Sequence, residues 1–199
     1  MIFSQDFKAQ FEKYKITFKK NHILFAQIFR FIIAFAIGLI LSILFSEIAP
    51  FKSYIKNSFI TTSLIKILVT TTNFFLYLFG FDTNIQNNFI QISGTSGVRF
   101  IYSCIGIRHM AFFAGFILSY YGKLINKIWY ILFGFIILII LNSFRASIIC
   151  ITQFYYPNYF DIVHYHFTRI VMYFGIFILW MIWIRFFSTK KRLPENRQS

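Results

Sequence analysis

Acidic residues are scarce in this chain: only 6 Asp and Glu stand against 20 Lys and Arg among 199 residues. Charged residues of both signs amount to 13% of the chain, whereas 58% of it is hydrophobic and Phe alone occurs 30 times. A soluble domain of this length could not bury so many aromatic side chains, but lipid can cover them. The composition therefore excludes an ordinary soluble enzyme and predicts an all-α integral membrane helix bundle.

Cysteine is also scarce, and 2 residues are too few for a disulfide framework. No cleavable signal peptide is recognisable, because the first 22 residues are polar and basic and no small-residue cleavage site follows. The net charge of +14 comes from Lys and Arg that cluster at the ends of apolar segments. That pattern predicts basic flanks at a lipid bilayer rather than nucleic-acid binding. We expect neither a cofactor nor a metal.

Four apolar stretches approach or exceed the ~20 residues that a helix needs to cross a bilayer. They are residues 27–46, 105–121, 128–152 and 167–187. A fifth stretch, 59–81, is weaker because it contains Lys66 and a threonine-rich centre. We predict one transmembrane catalytic domain, 27–187, between a basic arm, 1–26, and a basic tail, 188–199.

The basic flanks predict the orientation. The arm, the tail and the connection that contains Lys123 and Lys127 should all lie in the cytoplasm, by the positive-inside rule. Four strong spans in the cytoplasmic membrane then place the three basic segments on the cytoplasmic side, with both termini inside. If 59–81 also crossed, the alternation would break, so we predict that it is re-entrant or lies on the outer surface. The outer face then receives the connection 47–104, with a small hairpin at 89–102 around Gly-Thr-Ser-Gly.

Two polar residues interrupt the third strong span. Arg145 lies about 24 Å along the helix from Trp129, in the outer third of the bilayer, and Asn142 is three residues earlier on the same face. One interpretation is that Arg145 reaches outer headgroups and Asn142 packs between helices. The other is that Arg145 binds an anion inside the bundle, because charge in a span costs at least ~2.5 kcal/mol and is usually functional.

Cys104 is predicted to begin a helix at the same outer level. A helix N-terminus and a nearby cation both favour the nucleophilic thiolate. Alternatively, Cys104 is a small buried apolar residue, or it forms a disulfide with Cys150 on an oxidising outer face. The disulfide is disfavoured because Cys150 and Arg145 differ by about 140° around the helix.

Histidines supply candidates for acid and base chemistry. His164 and His166 precede the last span at the outer level, and either could exchange protons with a thiol and a leaving amine. An interfacial position or a metal site is the alternative. His109 is a rival base, although in a helix it lies about 140° from Cys104, and the neighbouring Arg108 is a further candidate. Thiol, guanidinium and imidazole suffice for acyl transfer through a thioester.

The order Cys104-Ile105-Gly106, Asn142-Ser143-Phe144-Arg145 and then a histidine before the last span resembles the exosortase/archaeosortase family. The resemblance implies a membrane transpeptidase whose catalytic residues are Cys104, Arg145 and a downstream histidine. It also implies, as partners, exported proteins with a C-terminal motif, transmembrane helix and basic tail.

Within this resemblance, the family spacing to Arg169 and Tyr173 selects His164 as the catalytic histidine and leaves His166 as the alternative. With four or five spans, the chain is a short form, since many members have about eight. Two other functions remain open. One is a membrane cysteine endopeptidase that hydrolyses its thioester, and the other is a non-enzymatic assembly or transport subunit.

Overall fold

The computed structural model describes residues 25–26, 28–44 and 48–187. The predicted basic arm before residue 25, the basic tail and the ends of the first predicted span lie outside the described residues. The described chain is mostly helical, as predicted. Its α-helices are α1 (Ile28–Leu44), α2 (Ala49–Lys56), α3 (Phe59–Leu78), α4 (Ile107–Ser119), α5 (Leu124–Tyr155), α6 (Phe160–Ile162) and α7 (Thr168–Ile182).

Three helical stretches are long and apolar enough to cross a membrane: Phe59–Leu78, Leu124–Tyr155 and Pro157–Phe187. The last of these joins α6 and α7 through a π-helical turn, Val163–Phe167, and ends in a second one. The lengths differ from those predicted. The stretch 59–81 was predicted to be weak and forms a helix of 20 residues, whereas the span predicted at 105–121 forms a helix of only 13 residues.

Contacts between helices fix their relative directions. Thr72 of α3 donates a hydrogen bond to the carbonyl of Ser143 on α5, and Phe81, three residues beyond the end of α3, packs edge-on against Phe154 further along α5. From the first contact to the second, the residue numbers increase on both segments, so α3 runs parallel to α5. Phe113 lies against Gly134, and Gly106 lies against Asn142. The numbers change in opposite directions there, so α4 runs antiparallel to α5.

α1 packs antiparallel to α4. Arg30 lies over the Tyr121 ring at 4.7 Å, and Phe35 packs edge-on against Phe112. α1 and α3 therefore point the same way, and α2 between them is about 12 Å long, too short to cross a bilayer. Successive crossings must alternate in direction, so α1 and α3 cannot both cross. The predicted alternation is compatible with this arrangement, and the re-entrant course of 59–81 stays a prediction.

A small antiparallel sheet joins α3 to α4, in the order β1 (Thr83–Gln86), β2 (Phe89–Ile92) and β3 (Val98–Arg99). The predicted hairpin corresponds to β2 and β3, and β1 was not foreseen. Gly97 closes the second turn at φ +68°, and a Cβ there would lie 2.7 Å from the carbonyl oxygen of Ile90. Only glycine fits that position without moving the strand pair.

One face of the sheet is buried against α3 and α5. Its members share an apolar cluster with Ile105, which directly follows Cys104 in the chain. The cluster comprises Leu68, Val69, Leu76, Ile90, Ile92, Phe100, Ile105, Ala146 and Cys150. The sheet and the segment that contains Cys104 are thus held on the two helices by the same packed side chains. We call this end of the bundle the sheet end.

Candidate active site

Cys104 was predicted to begin a helix. Instead it ends a 3₁₀ turn, Tyr102–Cys104, and α4 begins three residues later. Gly106 separates this turn from α4 and adopts φ +82°, a left-handed conformation that costs other residues about 1–2 kcal/mol. Ile105 between them is fully buried. The Cys-x-Gly sequence therefore has a structural reason: the buried residue anchors the turn, and glycine lets the chain leave it into α4.

Asn142 connects α5 to this turn. Its side chain is 1% exposed, and its Nδ2 donates a hydrogen bond of 2.9 Å to the carbonyl oxygen of Cys104. Asn142 is a possible site residue in the sequence, but neither of its two interpretations there predicts this contact. The position of the thiol thus depends on a residue of α5 as well as on its own loop.

Arg145 lies one helical turn further along the same face of α5. Its Nη1 donates a long hydrogen bond, 3.4 Å, to Oδ1 of Asn142. Its Nε is buried and has no hydrogen-bond partner within the described part of the chain. Asn142 therefore bridges the cysteine turn and the guanidinium, and the guanidinium keeps one N–H donor that no group of residues 25–26, 28–44 or 48–187 accepts.

His164 lies on a third segment, the π-helical turn Val163–Phe167. Its ring is half-buried and stacks on Phe160, with centroids 5.4 Å apart and planes 5° apart. π-helical turns are often found at functional sites. The spacing of four residues between Phe160 and His164, which places both on one face of a helix, is the sequence signal for this stack.

The predicted residues converge in one cleft at the sheet end. It is lined by Val98, Phe100, Cys104, Asn142, Arg145, Ala146, Ile149 and His164. Its free volume, about 20 Å³, is enough room for one or two water molecules. A thiol, a guanidinium and an imidazole thus face a small space whose remaining walls are mostly apolar. The contribution of β3 to this wall was not predicted.

Four other candidates lie away from the cleft. His166 and Arg108 are exposed, and neither lines it. His109 on α4 packs instead against Tyr173, with ring centroids 5.3 Å apart. Cys150 is fully buried in the apolar cluster beneath the sheet, and both cysteines are free thiols. The disulfide between Cys104 and Cys150, which the sequence disfavours, is therefore absent from the described structure.

A family model for transmembrane exosortases (Exosortase_EpsH) matches residues 23–181 of the chain. This range is well over half of the chain and includes every segment that lines the cleft. No curated protein and no solved structure matches.

Proposed function

The chain belongs to the transmembrane exosortase family, membrane-embedded sorting enzymes, and from this premise we propose that it is a cysteine transpeptidase acting on C-terminal sorting signals of exported proteins. The observation that carries the proposal is the cleft. Cys104, Arg145 and His164 come from three separate segments and line the same small space. Ionisable side chains inside a membrane bundle are rare and usually mark a functional site.

In the proposed reaction, the Cys104 thiolate attacks the carbonyl carbon at the cleavage site. The C–N bond then breaks, the departing amine takes a proton from His164, and a thioester remains on Sγ. An acceptor nucleophile loses its proton to His164 and attacks the thioester, which releases the Cys104 thiolate beside the protonated His164 and leaves the exported protein on the acceptor. Transfer to water instead would give hydrolysis by the same residues.

Arg145 is proposed to stabilise the negative charge that develops on the carbonyl oxygen or on the thiolate. Two features support this role: its Nε has no hydrogen-bond partner among the residues that the structure describes, and the cleft wall around it is mostly apolar. An oriented cation is worth more in such surroundings than in water, since no solvent must reorganise during the reaction. The hydrogen bond from Arg145 to Asn142 would hold the guanidinium in place.

We further propose that the sheet end faces the extracytoplasmic side. The basic side chains Arg30, Lys123, Lys127 and Arg185 all lie on segments at the opposite end of the bundle. Cationic flanks mark the cytoplasmic side of a membrane protein. Reporter fusions should therefore read outside at Gly94 and inside at Lys123. The reverse result would place the cleft in the cytoplasm and contradict the proposal.

The decisive experiment compares the two cysteines. The assay uses a secreted reporter that carries the C-terminal motif, helix and basic tail of an exported protein from the same genome. We expect Cys104→Ala to abolish cleavage of the reporter. Cys150→Ala changes the same chemical group where it is buried in the cluster beneath the sheet, and most activity should remain.

Hydroxylamine should release the reporter from the wild-type enzyme as a hydroxamate, because it cleaves thioesters, and should release none from Cys104→Ala. Cleavage by Cys104→Ala at the wild-type rate would refute the nucleophile and, with it, the proposed mechanism.

A further inference from the structure

Strand β3 is the edge of the sheet next to the cleft. In the order β1-β2-β3, it has a strand partner on one side only among the described residues. Val98 of β3 and Phe100, which directly follows β3, both line the cleft that contains Cys104. The segment therefore forms one wall of the cleft while one side of its backbone has no strand beside it.

The hydrogen-bond pattern shows which backbone groups face that open side. The amide of Phe100 donates to the carbonyl oxygen of Asn88 at 2.7 Å, so these two residues form a hydrogen-bonded pair. Bonded and non-bonded pairs alternate along an antiparallel ladder. Ile90 and Val98 are therefore the next bonded pair, and the pair between them, Phe89 and Arg99, is non-bonded.

The N–H and C=O of Arg99 consequently point away from β2. Within the described chain, no hydrogen bond joins either group to another residue. Arg99 itself is exposed. A donor and an acceptor of one residue are thus presented together at an open strand edge, five residues before the thiol. An extended peptide presents matching groups at every second residue, which is how strands are added to open sheet edges in peptide recognition.

We propose that the sorting signal binds as an added strand along β3, with its backbone paired to the N–H and C=O of Arg99. This inference rests on the proposed transpeptidase function and specifies how its substrate is held. Pairing at Arg99 would align the peptide with the wall of the cleft, so that a following carbonyl group reaches Cys104. The substrate residues beside the pair would face Val98 and Phe100, which favours apolar side chains there. A two-residue edge with one charged side chain accepts only a short segment and resists pairing with longer strands.

Proline at position 99 tests the pairing directly, since it removes the N–H that faces the open edge. The ladder bonds of Val98 and Phe100 to β2 do not use that group. Arg99→Ala is the reference variant, because it loses the same side chain and keeps the N–H. The assay is cleavage of the secreted reporter described above, with Cys104→Ala as the inactive baseline.

Ile85→Pro is the matched control on the opposite edge of the sheet. Gln86 and Phe89 flank the two-residue turn and form a bonded pair, so Ile85 and Ile90 form a non-bonded one. The backbone of Ile85 therefore also faces outward, but on β1, away from the cleft. A general effect of proline on the sheet would appear in this variant as well.

We expect cleavage by Arg99→Pro to fall at least about tenfold below that of Arg99→Ala, and cleavage by Ile85→Pro to stay near wild type. Alkylation of Cys104 by iodoacetamide should proceed at the same rate in Arg99→Pro as in Arg99→Ala, which shows that the cleft is intact. Equal cleavage by Arg99→Pro and Arg99→Ala would overturn strand addition while leaving the proposed function standing. Cleavage by Cys104→Ala would overturn the proposed function itself.

An ester bond provides a second route to the same test, for the case in which proline also slows alkylation. An α-hydroxy acid at position 99 replaces the N–H by an oxygen without adding a ring. Reduced cleavage with normal alkylation would support the pairing. Wild-type cleavage by the ester variant would overturn it.

Discussion

Replacing Asn142 by alanine tests whether the cysteine turn is positioned from α5. The substitution removes the 2.9 Å hydrogen bond to the Cys104 carbonyl and the 3.4 Å one from Arg145. Asn142 is 1% exposed, so water cannot readily replace the lost amide. Leaving a buried acceptor without its partner costs about 1–3 kcal/mol.

That cost appears in two measurements. At roughly 2–4 °C per kcal/mol for a chain of this size, the melting temperature in detergent should fall by about 2–12 °C. Cleavage of the sorting reporter should fall further, by about 10²-fold, because a displacement of ~1 Å at a reacting atom has that effect. A rate loss larger than the stability loss would distinguish positioning of the thiol from general destabilisation.

Asn126→Ala is the matched control, since Asn126 is on the same helix at the end opposite the cleft and is half-buried. It should leave cleavage within about twofold of wild type, as surface and half-buried positions without partners usually do. The alkylation rate of Cys104 should change in Asn142→Ala and not in Asn126→Ala. Wild-type melting and cleavage in Asn142→Ala would refute the positioning role of the hydrogen bond.

Three further predictions concern the chemistry and the turn. His164→Ala should lower cleavage by about 10²–10⁴-fold, because it removes acid–base help, and His166→Ala should have little effect; the opposite order in the reporter assay would move the role by two residues. Arg145→Lys keeps the charge but loses the planar fork, so cleavage should fall by about 10² while the reporter still co-purifies with the enzyme; wild-type turnover would make the arginine structural. Gly106→Ala and Gly80→Ala impose nearly the same strain, at φ +82° and +81°, so melting temperatures should fall alike by an amount equivalent to about 1–2 kcal/mol. Only Gly106→Ala should also lose cleavage, and equal activity of the two would contradict a need for the turn.

The convergence of Cys104, Arg145 and His164 could be anticipated because Cys-x-Gly, Asn-x-x-Arg and a later histidine follow one another in the order that resembles the exosortase family. The basic flanks predict the same membrane side for all three residues. The hydrogen bond from Asn142 to Cys104 could not be anticipated, since it joins residues 38 positions apart. Hydropathy and helical period describe only neighbours in sequence, and a contact between a loop and a distant helix leaves no trace in either.

The underestimate of α3 has a different cause. Its threonines lower the mean hydropathy of the stretch, but the hydroxyls of Thr71 and Thr72 are hydrogen-bonded to backbone carbonyls. Thr71 donates to the Ile67 carbonyl of its own helix at 2.8 Å, and Thr72 donates to the Ser143 carbonyl of α5. A threonine bonded in this way brings little polar cost into an apolar environment. Hydropathy scales that treat each residue as isolated therefore underestimate how well such a helix suits an apolar environment.

In the proposed orientation, the short α4 determines how deep the Cys104 thiol lies in the bilayer. With 13 residues, the helix is about 20 Å long, whereas the hydrocarbon layer is about 30 Å thick. In the orientation we propose, its C-terminal end is at the cytoplasmic surface, so Cys104 at the other end lies several ångströms below the outer boundary of an unperturbed bilayer. A membrane adapts to a short helix by thinning around it. Where the bilayer thins, outer headgroups and water would lie at the level of the cleft. A water-soluble or lipid-borne acceptor would then reach the proposed thioester while the thioester stays within the membrane.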